Sequence, residues 1–306
     1  MINENSQFPI SNSHRKEVDA SRGENPECRG WELGVGSWRL GVSLKQLRIG
    51  AVGYLNARPL TWALDREPSR WRVRYDVPAV CAARLHDGEV DLGLIPSIEY
   101  LQSDDYRFVP GVGIGSRGPV ASVALYTRKP VEEIRRVALD TSSRTSVTLI
   151  QVLCRHHFHI SPSFVPHGPD LSAMTSTCDA GLLIGDPAFD ADHDALGLRK
   201  IDLGEVWTQM TGLPFIYAAW TGRPGAVDAR VVESLQQAQA DGMRAREEIA
   251  AEYGAGDVAR AARAAVYLRD NVKYGLGAQE AAGLQMFLDL AAEMGMAPRR
   301  RTLEFF

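Results

Sequence analysis

The sequence predicts an α/β chain folded into two lobes with a ligand cleft between them. Three observations point there. Short apolar runs alternate with helix-like runs at the spacing of parallel βαβ units. Polar residues follow the carboxyl ends of those runs, where open parallel sheets bind ligands. Two extended apolar runs, at residues 121–127 and 215–220, bracket a middle segment as a pair of hinge crossings would. The expected division is residues 47–127 plus 221–306 for the first lobe and 128–220 for the second.

The 306 residues, 45% hydrophobic and 24% charged, can bury a sizeable core as one large domain or two lobes. A net charge of -4 argues against a nucleic-acid partner, while an acidic protein still holds an anion wherever local potential is positive. Cys28, Cys81, Cys154 and Cys178 form no C-x-x-C pair, so free thiols in a reducing compartment are expected rather than a disulfide frame or zinc site. No run approaches the roughly 18 apolar residues of a membrane span. The first 46 residues are polar and lack an apolar export segment, so the expected location is cytoplasmic, with no membrane partner. They read as a disordered extension or as sequence upstream of the true start.

In chain order, residues 47–52 are a short apolar strand leading into Gly53-Tyr54-Leu55-Asn56. Pro59 suits the first turn of the helix that follows, and Leu60, Ala63 and Leu64 give it an apolar side. A second strand is expected at 73–77 and a helix at 79–86, stopped by Gly88. Residues 91–95 form a third strand, ending in Pro96-Ser97 at another helix start. Ser97 taken alone reads best as the cap of its own helix. The G-x-G-x-G at 111–115 is no dinucleotide fingerprint, because no suitably spaced helix follows it. An extended run follows instead; Ser122 in it either faces a cleft or is a small residue on a packed strand.

The most informative stretch is Asp140-Thr141-Ser142-Ser143-Arg144-Thr145-Ser146. It joins an apolar strand (Val137, Ala138, Leu139) to a helical run (Val147, Leu149, Ile150, Leu153). Five hydroxyls beside the unpaired N–H groups of a helix start form a pocket for a carboxylate or phosphate. The alternative is an over-supplied cap in which one hydroxyl caps and the others are solvated. Further strands are expected at 163–165 and at 180–186, the latter ending in Gly-Asp, and helices at 228–253, 257–273 and 278–294. The apolar stripes of these last helices face a core. His156, His157 and His159 crowd a helix end, and Asp190, Asp192, His193 and Asp194 read as a solvated acidic loop rather than a metal site.

Taken together and in this order, several motifs carry a resemblance. They are Gly53-Tyr54-Leu55-Asn56, residues 91–100, Gly118-Pro119-Val120-Ala121-Ser122, residues 141–147, Leu183-Ile184-Gly185-Asp186, and residues 202–215. Over about residues 47–298 the chain resembles the chorismate dehydratase family, which opens the futalosine route to menaquinone. The resemblance implies a periplasmic-binding-protein-like type II fold and conversion of chorismate to 3-[(1-carboxyvinyl)oxy]benzoate and water. It implies that Asn56 and Ser122 are the functional residues, and it calls for no cofactor and no metal. Tyr54, Ser97, Thr141, Ser142, Ser143 and Thr145 are the further residues expected to bind the substrate. Two alternatives share the fold: a solute-binding protein, against which the absent export segment speaks, and the sibling dihydroxynaphthoate synthase of the same pathway. Arg144 is expected to brace the lobe rather than hold substrate, since a cation at a helix start opposes the dipole.

Overall fold

The computed structural model describes residues 46–298 and 300–306. The extension expected over residues 1–46 lies, but for Gln46, outside them. The strands, numbered in chain order, are β1 (Leu47–Val52), β2 (Trp71–Asp76), β3 (Leu92–Pro96), β4 (Arg107–Ser116), β5 (Val123–Thr127), β6 (Arg136–Asp140), β7 (Ser163–His167), β8 (Ala180–Ile184), β9 (Arg199–Asp202) and β10 (Phe215–Gly222). They form two five-stranded sheets, ordered β2-β1-β3-β10-β4 and β7-β6-β8-β5-β9.

Both sheets follow one plan. In the first, β1 lies parallel to β2 and β3, and β10 runs antiparallel to β3 and β4. In the second, β6 lies parallel to β7 and β8, and β5 runs antiparallel to β8 and β9. The central strands Leu92–Pro96, Val123–Thr127 and Ala180–Ile184 are buried along their whole length, as continuous apolar runs covered on both faces should be. The outer strand β2 is mostly exposed, and β7 tolerates Pro166 because it lies at an edge.

The α-helices are α1 (Arg58–Thr61), α2 (Pro78–His86), α3 (Arg144–His156), α4 (Leu171–Thr177), α5 (Gly185–Phe189), α6 (Leu203–Thr211), α7 (Ala229–Arg244), α8 (Arg246–Gly254), α9 (Val258–Val266) and α10 (Ala278–Glu293). Pro59 and Pro78 each occupy the first turn of their helix, where the missing N–H costs nothing. The last helices return to the first sheet: α7 packs on α1 and β4, and α10 packs on β10. Trp207 of α6, Phe215 of β10 and Phe287 of α10 meet edge-to-face, with centroids 5.1 Å and 4.9 Å apart about Phe215. Such pairs contribute about 0.5–1.5 kcal/mol beyond their buried area.

Four expectations are corrected. The run at 121–127, expected in the first lobe, forms β5 of the second sheet, and the run at 215–220, expected in the second lobe, belongs to β10 of the first. The strand that leaves the first sheet is β4, whose three glycines and Pro110 give it no apolar alternation to read. The single helix expected over 228–253 breaks at Ala245 into α7 and α8. The helix expected over 257–273 ends at Val266 and continues as a π-helical turn, Tyr267–Asn271.

Candidate active site

The carboxyl ends of β1, β3, β6 and β8 converge on a small cleft. Tyr54 and Asn56 line it after β1, Pro96 ends β3 in it, Ser143 and Ser146 follow β6, and Gly185 follows β8. Tyr217 and Ala218 of β10 and Val123 of β5 are on the wall too, with Val52, Pro78, Ile114 and Ile184 as its remaining apolar part. Among the described residues lining this cleft none carries a charged side chain. Gly185 is needed at its place: its φ is 64°, and a Cβ there would come within 2.6 Å of the Tyr54 ring.

The hydroxyl turn divides its side chains between two tasks. Ser143 is the N-cap of α3; its Oγ accepts from the Ser146 N–H at 3.4 Å and lies 3.2 Å from the Ser146 Oγ. These two serines, one helical turn apart, face the cleft. Thr145 turns the other way. Its Oγ1 accepts from the Ile98 N–H at 3.3 Å and lies 3.4 Å from the Ser97 Oγ, which itself donates to the Ile216 carbonyl at 2.7 Å. Ser97 and Thr145 are both fully buried and belong to the contact between the lobes, not to the cleft wall. Thr141 is exposed, and Ser142 accepts from the Ala79 N–H of α2 through its carbonyl at 2.9 Å. Arg144 points away from the cleft wall to Glu99.

Asn56 and Ser122 come together from distant parts of the chain. Ser122 stands just before β5, fully buried and next to Val123 of the cleft wall rather than on the wall itself, with its Oγ 2.6 Å from the Tyr267 hydroxyl. The Asn56 carboxamide also acts on that hydroxyl, after the charge of Asp186. Burial, more than any neighbour, pushes the Tyr267 hydroxyl well above its ordinary range, so it stays protonated. Burial raises the Tyr54 hydroxyl in the same way.

The turn before Ser122 is strained. Ala121 has φ of 67°, a conformation unfavourable for a residue with a Cβ. The Asp202 carboxylate holds it there, accepting from the Val120 N–H at 3.0 Å and the Ala121 N–H at 2.6 Å. The same carboxylate caps α6 by accepting from the N–H groups of Gly204 and Glu205. Asp202 thus fixes, at one point, the strained turn that presents Ser122 and the start of the next helix.

Outside the cleft wall, Asp186 on α5 accepts from the Leu55 N–H at 2.9 Å, and burial raises its carboxyl above the ordinary carboxylate value. Asp190 takes no part in an acidic metal cluster; it accepts from Tyr253 at 2.9 Å and from Arg260 at 2.6 Å. No group of three or more His, Cys, Asp or Glu side chains able to hold a metal occurs among the described residues. No helix among them is long and apolar enough to cross a membrane. Tyr217 and Tyr267 were not singled out in the sequence, and Ser146 only as one of the five hydroxyls of the turn, not among the named substrate-binding residues. For Ser146 a signal was present, because the third residue after an N-cap lies on the cap's own face.

A profile of the family described as Menaquinone biosynthesis matches residues 47–293. The Chorismate dehydratase of Thermus thermophilus is 32% identical over 219 residues, an alignment covering 66% of this chain and 79% of that protein. A solved protein of Archaeoglobus fulgidus superposes with a TM-score of 0.64 at 19% identity, covering 82% of this chain and 98% of its own. The periplasmic aliphatic sulphonate binding protein of Escherichia coli does so with a TM-score of 0.58 at 21% identity, covering 83% and 89%. These structural likenesses establish the fold, a periplasmic-binding-protein-like type II architecture of two α/β lobes. With the motifs quoted above falling inside the matched span, the chain belongs to the chorismate dehydratase family of menaquinone biosynthesis.

Proposed function

We propose that the protein is a chorismate dehydratase, a carbon–oxygen lyase that converts chorismate to 3-[(1-carboxyvinyl)oxy]benzoate and water in the futalosine route to menaquinone. The observation that carries this reading is the meeting of Asn56 and Ser122, the pair marked by the family, at one buried hydroxyl beside a neutral cleft.

Chorismate is a dicarboxylate, and the wall offers it dipoles rather than cations. Ser143, Ser146 and the start of the 13-residue helix α3 form one anion site. A helix end of this kind contributes about 0.3–1 kcal/mol when exposed and up to ~2 kcal/mol when partly buried. Asn56 and Ser122 attend the reacting part of the ring, with neutral hydrogen bonds to the departing C4 hydroxyl.

The wall carries no carboxylate or imidazole to serve as a base. The substrate's own enolpyruvyl carboxylate takes the ring proton, the C–H electrons become ring π electrons, and the C4–O bond breaks. The proton then passes to the departing hydroxide to make water, and the carboxylate is restored. The step is redox-neutral and its product ring is aromatic, so no cofactor is required. The protein works by holding one conformation of the substrate, an orientation effect.

Incubation of the purified protein with chorismate and EDTA, followed by mass spectrometry, tests this. The expected product is lighter than chorismate by one water. Binding without turnover would instead mark a solute-binding protein, and activity lost to EDTA and restored by a divalent ion would refute the cofactor-free reaction.

A further inference from the structure

We infer that Tyr267 is a positioning residue for the Asn56–Ser122 pair, an inference that rests on the function proposed above. Its hydroxyl lies 2.6 Å from the Ser122 Oγ, and the Asn56 carboxamide is its other uncharged polar partner. The side chain is 2% exposed. A serine hydroxyl has one proton and two lone pairs, and its rotor is free unless a partner fixes it. Tyr267 occupies one of these three positions, which fixes the directions left for the hydroxyl's remaining hydrogen bonds. The tyrosine thereby sets two side chains, one following β1 and one preceding β5, that would otherwise rotate independently.

Tyr267 is itself fixed from three directions. It opens the π-helical turn Tyr267–Asn271, an irregularity that often marks a functional position in a helix. The turn closes where the Val272 N–H donates to the Tyr267 carbonyl at 3.2 Å. Phe189 of α5 packs on the ring with centroids 4.8 Å apart, and Phe189 in turn meets Tyr253 edge-on at 6.1 Å. The hydroxyl is therefore delivered to Ser122 from the first lobe while its ring is held by a side chain of the second. A tyrosine kept only for packing would need the ring and not the hydroxyl, and that difference can be measured.

Tyr267→Phe keeps the ring and its stacking and removes the oxygen. The expected result is a melting temperature close to wild type, a KM for chorismate within about threefold, and a kcat lower by roughly ten- to a hundredfold. The double variant Tyr267→Phe with Ser122→Ala is expected to be slower than Ser122→Ala by much less than the factor Tyr267→Phe costs alone, because the tyrosine acts in part through the serine. Wild-type kcat in Tyr267→Phe, or full additivity in the double variant, overturns the inference. A crystal structure of Tyr267→Phe decides the matter independently of activity. Changed Ser122 and Asn56 rotamers support the positioning role, and unchanged ones overturn it. Failure of the wild-type protein to convert chorismate would count against the proposed function, and the rotamers would still judge Tyr267.

Discussion

Arg144 Nη1 donates to both oxygens of Glu99, at 3.0 and 2.9 Å, tying the start of α3 in the second lobe to the turn that follows β3 in the first. The Glu99 side chain is 2% exposed and also meets His86 Nε2 at 2.6 Å, whereas the arginine is 48% exposed. The arginine at the head of the hydroxyl turn is thus a brace between lobes, which accounts for a cation where the helix dipole disfavours one.

Arg144→Lys is expected to weaken this brace, because the shorter ammonium cannot reproduce the guanidinium geometry. Charged hydrogen bonds of this kind contribute about 1.5–3 kcal/mol, and solvent at the arginine reduces that. A melting temperature lower by about 2–6 °C, with KM for chorismate within about threefold, is the expected outcome. An unchanged melting temperature with a large rise in KM would place Arg144 on the substrate instead.

Asp202 offers a second test. Its carboxylate accepts from four backbone N–H groups, those of Val120, Ala121, Gly204 and Glu205. Asp202→Ala removes a helix cap, which costs about 0.5–2 kcal/mol, and releases the strained Ala121 turn. Thermal melting should fall by several degrees and kcat by at least about tenfold, because Ser122 follows Ala121 directly. Full activity in a protein that still melts lower would show that the turn serves stability alone.

The raised carboxyl of Asp186 gives a pH test with a definite sign. Burial is the main cause, partly opposed by the Leu55 N–H and by Arg58. The folded state therefore holds this proton more tightly than the unfolded chain does. Ionisation costs stability that is fully present below the ordinary value of 3.8 and is lost as pH rises through the raised one. Asp186→Asn keeps a carbonyl acceptor for Leu55 and is expected to flatten the fall in melting temperature as pH rises above the ordinary carboxylate value of 3.8. It should be at least as stable as wild type at neutral pH; a markedly lower melting temperature there would contradict this.

The parts of the fold that were legible in the sequence are those where the chain's own period carries the signal. Buried strands such as Leu92–Pro96 and Ala180–Ile184 are continuous apolar runs, and the polar residues expected after such strands, Asn56 and part of the hydroxyl turn, lie at carboxyl ends on the cleft, though which hydroxyl caps α3 was not legible. Periodicity tells that a face is buried, not what buries it. Ser97 and Thr145 therefore read as ligand-binding hydroxyls, although they are spent on each other's lobes. β4 escaped because Gly111, Gly113, Gly115 and Pro110 carry no side-chain pattern for a strand. Tyr267 left no mark at all: its importance arises from a π-helical turn and from a serine far away in sequence.

Steady-state kinetics with chorismate on Asn56→Ala, Ser122→Ala, Ser143→Ala and Ser146→Ala test the central claim most directly. Asn56 and Ser122 attend the departing hydroxyl, so their loss should lower kcat by one or more powers of ten, each tenfold being roughly 1.4 kcal/mol. Ser143 and Ser146 anchor a carboxylate that binds equally in substrate and transition state, so their loss should raise KM and leave kcat near wild type. Equal falls in kcat for all four variants with KM unchanged would contradict this division, and wild-type kinetics in Asn56→Ala and Ser122→Ala would contradict the assignment of the cleft itself.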